Sequence, residues 1–346
     1  MSTNLLQQML AEREWLLADG ATGTNYFAMG LQSGDAPELW NVDHPDRVAS
    51  LHQQFIDAGA DIVLTNSFGG SAYRLKLHQA DQRVEELNKA AAQIARKVAD
   101  AAGRSVIVAG SVGPTGEILE PVGTLTKEDA TAAFAEQAKA LAAGGADVIW
   151  LETMSSKEEL QAAGMGAAEA GLPIVATMTF DTNGSTMMGV PPAQLVDIYL
   201  ETVPRLSGYG ANCGVGASDL VGTILAMRER AGADDVLVAK GNCGIPQFID
   251  GEIQYSGTPE LMAEYARLAR DTGARIIGGC CGTTPAHLSA MRDALVTHVP
   301  RSRPDIDRIV EILGPVTAGT RSACSHDHPH AADEPRRSRG GRRRGR

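Results

Sequence analysis

The sequence has few aromatic residues and no long apolar run. Aromatic side chains make up 4% of the 346 residues, while Ala and Gly are plentiful, a composition that favours a helix-rich α/β protein over an all-β one. No run of 18 or more apolar residues occurs, so neither a membrane-spanning helix nor a membrane partner is expected. The first residues lack the basic and apolar blocks of a secretory signal peptide, and we therefore expect a cytoplasmic protein.

Cysteine is scarce too, with five residues in the whole chain. This number is too small for a disulfide framework, and the adjacent Cys280 and Cys281 cannot easily pair with each other, so metal binding or catalysis is the better interpretation. The chain also lacks a Walker phosphate loop, a Rossmann glycine triplet on its first strand and a Ser-His-Asp signature. These absences disfavour a P-loop enzyme, a Rossmann dehydrogenase and a serine hydrolase.

The charge is unevenly distributed. The net charge is −11, yet residues 336–346 contain seven arginines and no acidic residue, so the rest of the chain is more acidic than the total suggests. The acidic body is not expected to bind nucleic acid. The basic tail could bind an anionic partner weakly, such as RNA, an acidic protein or its own acidic surface.

Short apolar runs alternate with longer helical patterns eight times. The runs predict strands at 15–19, 61–65, 105–110, 147–152, 173–179, 208–213, 235–240 and 275–280. The intervening segments predict helices at 47–58, 82–102, 127–143, 157–170, 192–201, 218–229, 259–272 and 285–297. Several of these helices are followed by Gly, which is typical of a helix C-terminus.

Strands that alternate with helices predict right-handed βαβ units and a parallel sheet. Eight units in about 285 residues match a TIM (β/α)8 barrel, with an open doubly wound sheet as the alternative. We favour the barrel because the count is eight and because reactive residues recur at strand C-termini. We expect one barrel domain over 1–300, an extension over 301–316 with a short helix near 305–313, and a disordered Arg-rich tail over 317–346.

Three cysteines follow or end two of the predicted strands. Cys213 ends the sixth strand, and Cys280 and Cys281 end the eighth within a glycine-rich segment. Three thiolates can bind one zinc ion and leave its fourth position open. Consecutive strand residues point to opposite faces, so both adjacent cysteines reach one metal only if the strand becomes irregular there. The alternative is that they are small buried apolar residues.

Other polar residues follow strands at the same predicted edge. Asp19, Gly20, Thr22 and Gly23 belong to a glycine-rich loop whose backbone N–H groups could bind a carboxylate. Glu152 and its neighbour Thr153 end the fourth strand, where Glu152 could accept hydrogen bonds from a substrate ammonium group or form an ordinary salt bridge.

Two further residues have open interpretations. Trp40, in the long first loop, either covers the pocket or fixes the loop. Cys243 follows the seventh strand in an Asn-Cys-Gly pattern that repeats the one at Asn212. It either approaches the metal or is a spare thiol.

At these residues the chain resembles the homocysteine S-methyltransferase family over about residues 12–298. The resemblance rests on the loop 19–24, the segment 59–62, the Asn212-Cys213 motif and the block 278–285, which is the most specific. It implies a zinc TIM barrel that methylates homocysteine to give methionine, with Zn²⁺ on Cys213, Cys280 and Cys281. It also implies that Glu152 holds the amino group and that the Asp19 loop binds the amino-acid end. We include Thr153, Asn212 and Trp40 among the substrate-binding candidates.

The methyl donor is the least determined part of this prediction. The chain is most similar overall to bacterial proteins called betaine–homocysteine methyltransferases, so betaine is the expected donor. The alternative is a methylcorrinoid protein, because the Cys213 and Cys281 segments are also similar to the homocysteine module of cobalamin-dependent methionine synthase. A second alternative is a non-catalytic zinc barrel, which would need a fourth ligand such as Cys243.

Overall fold

The computed structural model describes residues 4–201, 205–249 and 252–324. The strands are β1 (Leu16–Leu17), β2 (Ile62–Leu64), β3 (Ile107–Val112), β4 (Val148–Met154), β5 (Ile174–Met178), β6 (Gly208–Cys213), β7 (Leu237–Gly241), β8 (Pro246–Ile249), β9 (Glu252–Tyr255) and β10 (Ala274–Gly279). The α-helices are α1 (Leu5–Glu12), α2 (Gly23–Ala28), α3 (Trp40–Asp43), α4 (Pro45–Asp57), α5 (Ala72–Leu75), α6 (Val84–Ala101), α7 (Lys127–Ala143), α8 (Lys157–Ala168), α9 (Pro192–Glu201), α10 (Ala217–Arg228), α11 (Pro259–Asp271), α12 (Pro285–Thr297), α13 (Ile306–Leu313) and α14 (Ala318–Ala323).

Eight parallel strands form the sheet, in the order β1-β10-β7-β6-β5-β4-β3-β2. The first and last strands of this order meet through a parallel bridge between Ala18 and Ile62. There the Asp61 N–H donates to the Leu17 carbonyl at 2.7 Å, and the Asp19 N–H donates to the Ile62 carbonyl at 3.0 Å. The ring is thus a TIM barrel, as predicted. All eight predicted strands and all eight predicted barrel helices are confirmed within a few residues.

Helix α1, which the sequence analysis did not predict, contributes to the core of the barrel. Its buried residues Leu6, Met9 and Leu10 join one apolar cluster with inward-facing strand residues such as Trp150 and Ile276. The Asn4 side chain accepts a hydrogen bond from the Gln7 N–H and caps the helix. Because this packing fills the end of the barrel where the strands begin, the cavity described below opens at the opposite end, where the strands finish.

The C-terminal part corrects one prediction. The helix expected near 305–313 is α13, but α14 lies inside the segment expected to be disordered. Thr317 caps α14, and its N–H and hydroxyl both donate to Asp219 of α10, at 3.0 and 2.9 Å. Thr320 is buried, and the Gly319 N–H donates to Asn183 at 2.9 Å. These contacts are mostly polar, which is why apolar periodicity gave no signal. The seven arginines lie outside the described residues.

A second difference is the antiparallel hairpin β8–β9, which lies between β7 and α11 and which the sequence analysis did not predict. Within the described part of the chain, no helix has the length and apolar character that crossing a membrane requires.

Candidate active site

Three sulfur atoms meet where β6 and β10 end. The Sγ atoms of Cys213, Cys280 and Cys281 all lie within 4.8 Å of one another, with 2.8 Å between Cys213 and Cys280 and 4.0 Å between Cys213 and Cys281. Strand β10 ends at Gly279, so the two adjacent cysteines lie in the turn after it and both side chains can reach one point. Cys213 has a φ of +56° and Gly282 a φ of +78°, the irregular backbone that this convergence requires.

The donor set fits a zinc ion. Tetrahedral bonds of about 2.3 Å place sulfur ligands roughly 3.8 Å apart, close to the 4.0 Å between Cys213 and Cys281, whereas Cys213 and Cys280 lie closer together, at 2.8 Å. Hydrogen bonding to Cys280 and Cys281, together with burial, raises the pKa of the Cys213 thiol well above its ordinary value. Three thiolates this close would repel one another, and a bound cation would offset that repulsion. Among the described residues, no other Cys, His, Asp or Glu belongs to this cluster.

Cys243 does not complete a four-cysteine site. Its backbone N–H donates to the Cys281 carbonyl at 2.9 Å, but its side chain is buried in the apolar core and its sulfur is outside the cluster. Burial raises the pKa of this thiol to about 11, so it stays protonated. These observations support the interpretation of Cys243 as a spare thiol.

A cavity of about 500 Å³ leads from the mouth of the barrel to the three sulfurs. Its lining combines the glycine-rich loop after β1, the loop after β2, the ends of β4 and β7 and the cysteines. The lining includes Gly20, Thr22, Gly23, Phe27, Asp35, Glu38, Asn66, Phe68, Arg74, His78, Glu152, Thr153, Cys213, Lys240, Cys280 and Cys281.

Glu152 is the acidic residue on β4 that faces this cavity. It is 8% exposed, and its Oε1 accepts a hydrogen bond from the Ser111 hydroxyl. Burial raises the pKa of Glu152 to about 7, while the nearby Lys240 ammonium opposes this rise. A bound cation would favour the ionised carboxylate further.

Asp19 has a different position from the one predicted. Its carboxylate accepts hydrogen bonds from the Lys240 Nζ at 2.8 Å and from the Leu64 N–H at 2.7 Å, and both side chains of the ion pair are 2% exposed. Asp19 is absent from the cavity lining, whereas Gly20 and Lys240 belong to it. Asp19 therefore holds the loop in place rather than facing a ligand. In the sequence, the role of Lys240 is indicated only by its position at the end of an apolar run.

Asn212 lies behind the sulfurs and supports Thr153. Its Oδ1 accepts from the Thr153 N–H and its Nδ2 donates to the Thr153 hydroxyl, both at 2.8 Å. The Nδ2 also donates to the Cys213 sulfur at 3.4 Å. Thr153 has a φ of +64°, and these bonds hold that strained backbone. Thr153 lines the cavity, but Asn212 does not.

Trp40 is outside the cavity lining and 6% exposed. Its ring centroid lies 5.2 Å from that of Tyr26 and 5.0 Å from the Arg47 guanidinium carbon. The side chain thus fixes the first loop, and the alternative in which it covers the pocket is not supported. Phe27 and Phe68, which the sequence analysis did not select, are the phenyl rings in the lining.

Comparisons with known proteins agree with this architecture. The profile of the homocysteine S-methyltransferase family matches residues 16–295. A methionine synthase of Mycobacterium tuberculosis is 30% identical over 311 residues, which cover 85% of this chain and 25% of that protein. The chain therefore spans about a quarter of the length of this relative.

Solved structures of the homocysteine methyltransferase MmuM from Escherichia coli are also similar. The oxidised form has a TM-score of 0.69 and 26% identity and covers 84% of this chain and 99% of its own. The metallated form has a TM-score of 0.70 and 25% identity, with 83% and 99% covered. The family profile covers all eight barrel strands and the residues that line the cavity. The chain belongs to the homocysteine S-methyltransferase family.

Proposed function

We propose that this protein transfers a methyl group to the sulfur of homocysteine, which is held at a zinc ion on Cys213, Cys280 and Cys281. The observation that carries the proposal is the convergence of the three sulfurs within 4.8 Å of one another at the inner end of a cavity that also contains Glu152. When bound, a zinc ion with three thiolate ligands has one position left for the substrate sulfur and lowers the pKa of that thiol.

The residues around the sulfurs suit the amino-acid part of homocysteine. The Glu152 carboxylate can accept hydrogen bonds from the ammonium group. The loop that includes Gly20, Thr22 and Gly23 offers backbone N–H groups to the carboxylate, and the Asp19–Lys240 ion pair keeps this loop in place. Binding both ends of the amino acid fixes the direction of the thiol side chain, so that the sulfur and the donor methyl group meet in line.

Replacing Glu152 with glutamine tests the role of this carboxylate. The variant keeps the shape but loses the charge, and a hydrogen bond to a charged group contributes about 1.5–3 kcal/mol. Homocysteine affinity, measured by isothermal titration, is expected to fall roughly 10- to 100-fold, with zinc retained. Glu159→Gln is the matched control, because Glu159 is also a buried carboxylate but binds Thr115 outside the cavity. Equal affinity in the Glu152 variant and wild type would refute the role.

We propose betaine as the methyl donor. Betaine joins a quaternary ammonium group to a carboxylate. The outer cavity offers the rings of Phe27 and Phe68 and the Glu38 carboxylate to the cation, and the Arg74 guanidinium to the anion. Glu38 is buried, and its Oε1 accepts from the Gly69 N–H at 2.6 Å, so its position is fixed.

A methylcorrinoid carried by a separate protein is the second candidate donor. Two observations favour it. The chain is 30% identical to a methionine synthase but spans a quarter of that protein. In addition, large apolar side chains are exposed in the loops that follow the barrel strands, namely Phe27, Phe68, Leu77, Ile118, Val122, Met187, Met188 and Ile245. Such a rim suits a docking protein. The non-catalytic alternative loses support, because Cys243 supplies no fourth sulfur.

Incubation of the zinc-loaded protein with homocysteine and betaine alone separates these donors. Methionine is expected to form, and Phe68→Ala is expected to raise the betaine KM because it removes a ring face from the cation. Phe134→Leu, a change in the core away from the cavity, serves as the control for general packing effects. If methionine appears only after a methylcorrinoid or its carrier protein is added, betaine is the wrong donor.

A further inference from the structure

The loop after β2 connects the two buried carboxylates that line the cavity. At the start of the loop, the Ser111 N–H donates to the Thr65 hydroxyl at 3.0 Å, and Ser111 is the residue whose own hydroxyl donates to Glu152. Farther along, the Gly69 N–H donates to the Glu38 carboxylate at 2.6 Å. A side chain between these two attachments can therefore meet a ligand that lies between the carboxylates.

Asn66 has this position, and its side-chain amide has a single orientation. The residue is buried and belongs to the cavity lining. Its Nδ2 donates to the Pro37 carbonyl at 2.7 Å and to the Asn41 Oδ1 at 3.0 Å. A carbonyl oxygen can only accept a hydrogen bond, so the nitrogen of the Asn66 amide must face Pro37. Both N–H groups of this amide are thus bound to the protein.

Asn41 fixes this orientation from outside the cavity. Its Nδ2 donates to the backbone carbonyls of Asn66 and Leu87, at 2.8 and 3.2 Å, so its own Oδ1 is left to accept from the Asn66 amide. Asn41 is also buried, but it is absent from the cavity lining. Because water does not compete readily for such buried bonds, Asn41 holds the Asn66 amide against rotation.

The remaining polar atom of the Asn66 side chain is its Oδ1. Within the described part of the chain, no protein group donates to this oxygen. The atom nevertheless retains contact with open space, and for a buried residue of the cavity lining that space is the cavity. The negative end of a fixed amide dipole thus faces the cavity in the loop that connects the two carboxylates. Such an acceptor suits a hydrogen-bond donor or a cation.

We propose that Asn66 is a substrate-binding residue whose side-chain oxygen faces the cationic nitrogen of a bound substrate, and that Asn41 is the positioning residue that directs this oxygen. The inference rests on the proposed function, in which two substrates contain such a nitrogen, namely the ammonium group of homocysteine and the quaternary ammonium group of betaine. The first donates an N–H hydrogen bond to the oxygen. The second has no N–H group and offers the weaker C–H···O contacts of its methyl groups.

The test is isothermal titration of the full-length, zinc-loaded protein with each cationic ligand and with its uncharged counterpart. Homocysteine is compared with 4-mercaptobutyrate, which lacks the ammonium group. Betaine is compared with 3,3-dimethylbutyrate, in which carbon replaces the nitrogen, and both are titrated with saturating methionine present so that no methyl transfer occurs. Asn66→Ala is expected to weaken homocysteine binding roughly 10-fold or more if the ammonium faces the oxygen, or betaine binding roughly 2- to 5-fold if the quaternary group does. The affinity of the matching uncharged ligand should not change.

Two substitutions of Asn41 test its positioning role and leave Asn66 in place. Asn41→Ala frees the Asn66 amide and is expected to cause a smaller loss with the same preference for the cationic ligand. Asn41→Asp keeps an acceptor for the Asn66 Nδ2 and should recover part of that loss. A purely structural role would weaken the cationic and the uncharged ligand alike.

Asn88→Ala is the matched control, because Asn88 is a buried asparagine that donates to the Gly70 carbonyl of the same loop at 2.8 Å but does not line the cavity. Its ligand affinities should equal those of wild type, and unfolding temperatures show whether each variant is folded. Unchanged affinities in Asn66→Ala, or equal losses for cationic and uncharged ligands, would overturn this inference alone. A wild-type protein that binds neither homocysteine nor betaine would overturn the proposed function and this inference together.

Discussion

Replacing Cys280 with alanine is expected to abolish zinc binding and methyl transfer together. The variant keeps only two sulfurs of a cluster in which all three lie within 4.8 Å, and two thiolates do not form the three-ligand site that a catalytic zinc requires. Without the metal, the homocysteine thiol stays mostly protonated near neutral pH, since free thiols have pKa values near 8.5. The zinc content, measured by elemental analysis, should fall from about one ion per chain to nearly none.

The barrel is expected to survive this loss. Cys213, Cys280 and Cys281 lie at strand ends, outside the apolar clusters that fill the barrel and pack its helices, so the metal contributes less to the fold than a structural zinc does in a small domain. Circular dichroism should therefore give a folded spectrum for the variant. Cys324→Ala is the control, because that thiol donates to the Gly222 carbonyl at 3.2 Å, away from the cluster, and its removal should leave zinc binding and activity intact. Full zinc occupancy in Cys280→Ala would disprove the ligand assignment.

Replacing Lys240 with methionine is expected to destabilise the protein by about 3–5 kcal/mol, the usual effect of removing one partner from a buried ion pair. Both Lys240 and Asp19 are 2% exposed at the side chain. The methionine fills similar space but leaves the Asp19 carboxylate buried without a cation. Denaturant unfolding at neutral pH gives the free-energy difference. Lys139→Met is the control, because its ion pair with Glu169 is about half exposed and such pairs contribute about 0–1 kcal/mol.

The destabilisation should lessen as the pH falls. Burial already raises the pKa of Asp19 although Lys240 opposes it, and removing Lys240 removes that opposition. The folded variant then binds a proton at Asp19 more tightly than the unfolded chain does, so acidification stabilises the folded form. The double variant Asp19→Asn with Lys240→Met contains neither charge and should recover part of the lost stability. An Lys240→Met protein as stable as wild type at neutral pH would contradict this account.

The barrel could be predicted because its strands are buried on both faces. Such strands appear in sequence as continuous apolar runs, and eight of them between helical segments admit few topologies. The cysteines and Glu152 were found for a related reason, since reactive side chains at strand ends all point to one edge of a parallel sheet. Local sequence was sufficient for these features.

The remaining features depend on contacts between distant residues. The groups that bind the Asp19 carboxylate are 45 and 221 positions away, so the sequence suggested a residue of a substrate-binding loop instead of one half of an ion pair. Trp40 is conformationally fixed by aromatic and cationic neighbours that no periodic pattern indicates. Helix α14 is held by hydroxyl and carboxylate groups on α10, and a search for apolar periodicity does not detect such contacts. Only the assembled fold shows these pairings.

The division of the metal site between β6 and β10 has a consequence for the order of events during synthesis. Strand β10 is the last barrel strand in the chain, and it completes the ring by pairing with β1 and β7. A nascent chain that ends before β10 contains one of the three clustered sulfurs, so it cannot form the site. The proposed zinc site can therefore form only after Cys281 has been synthesised, when the last barrel strand is also available to pair with β1 and β7.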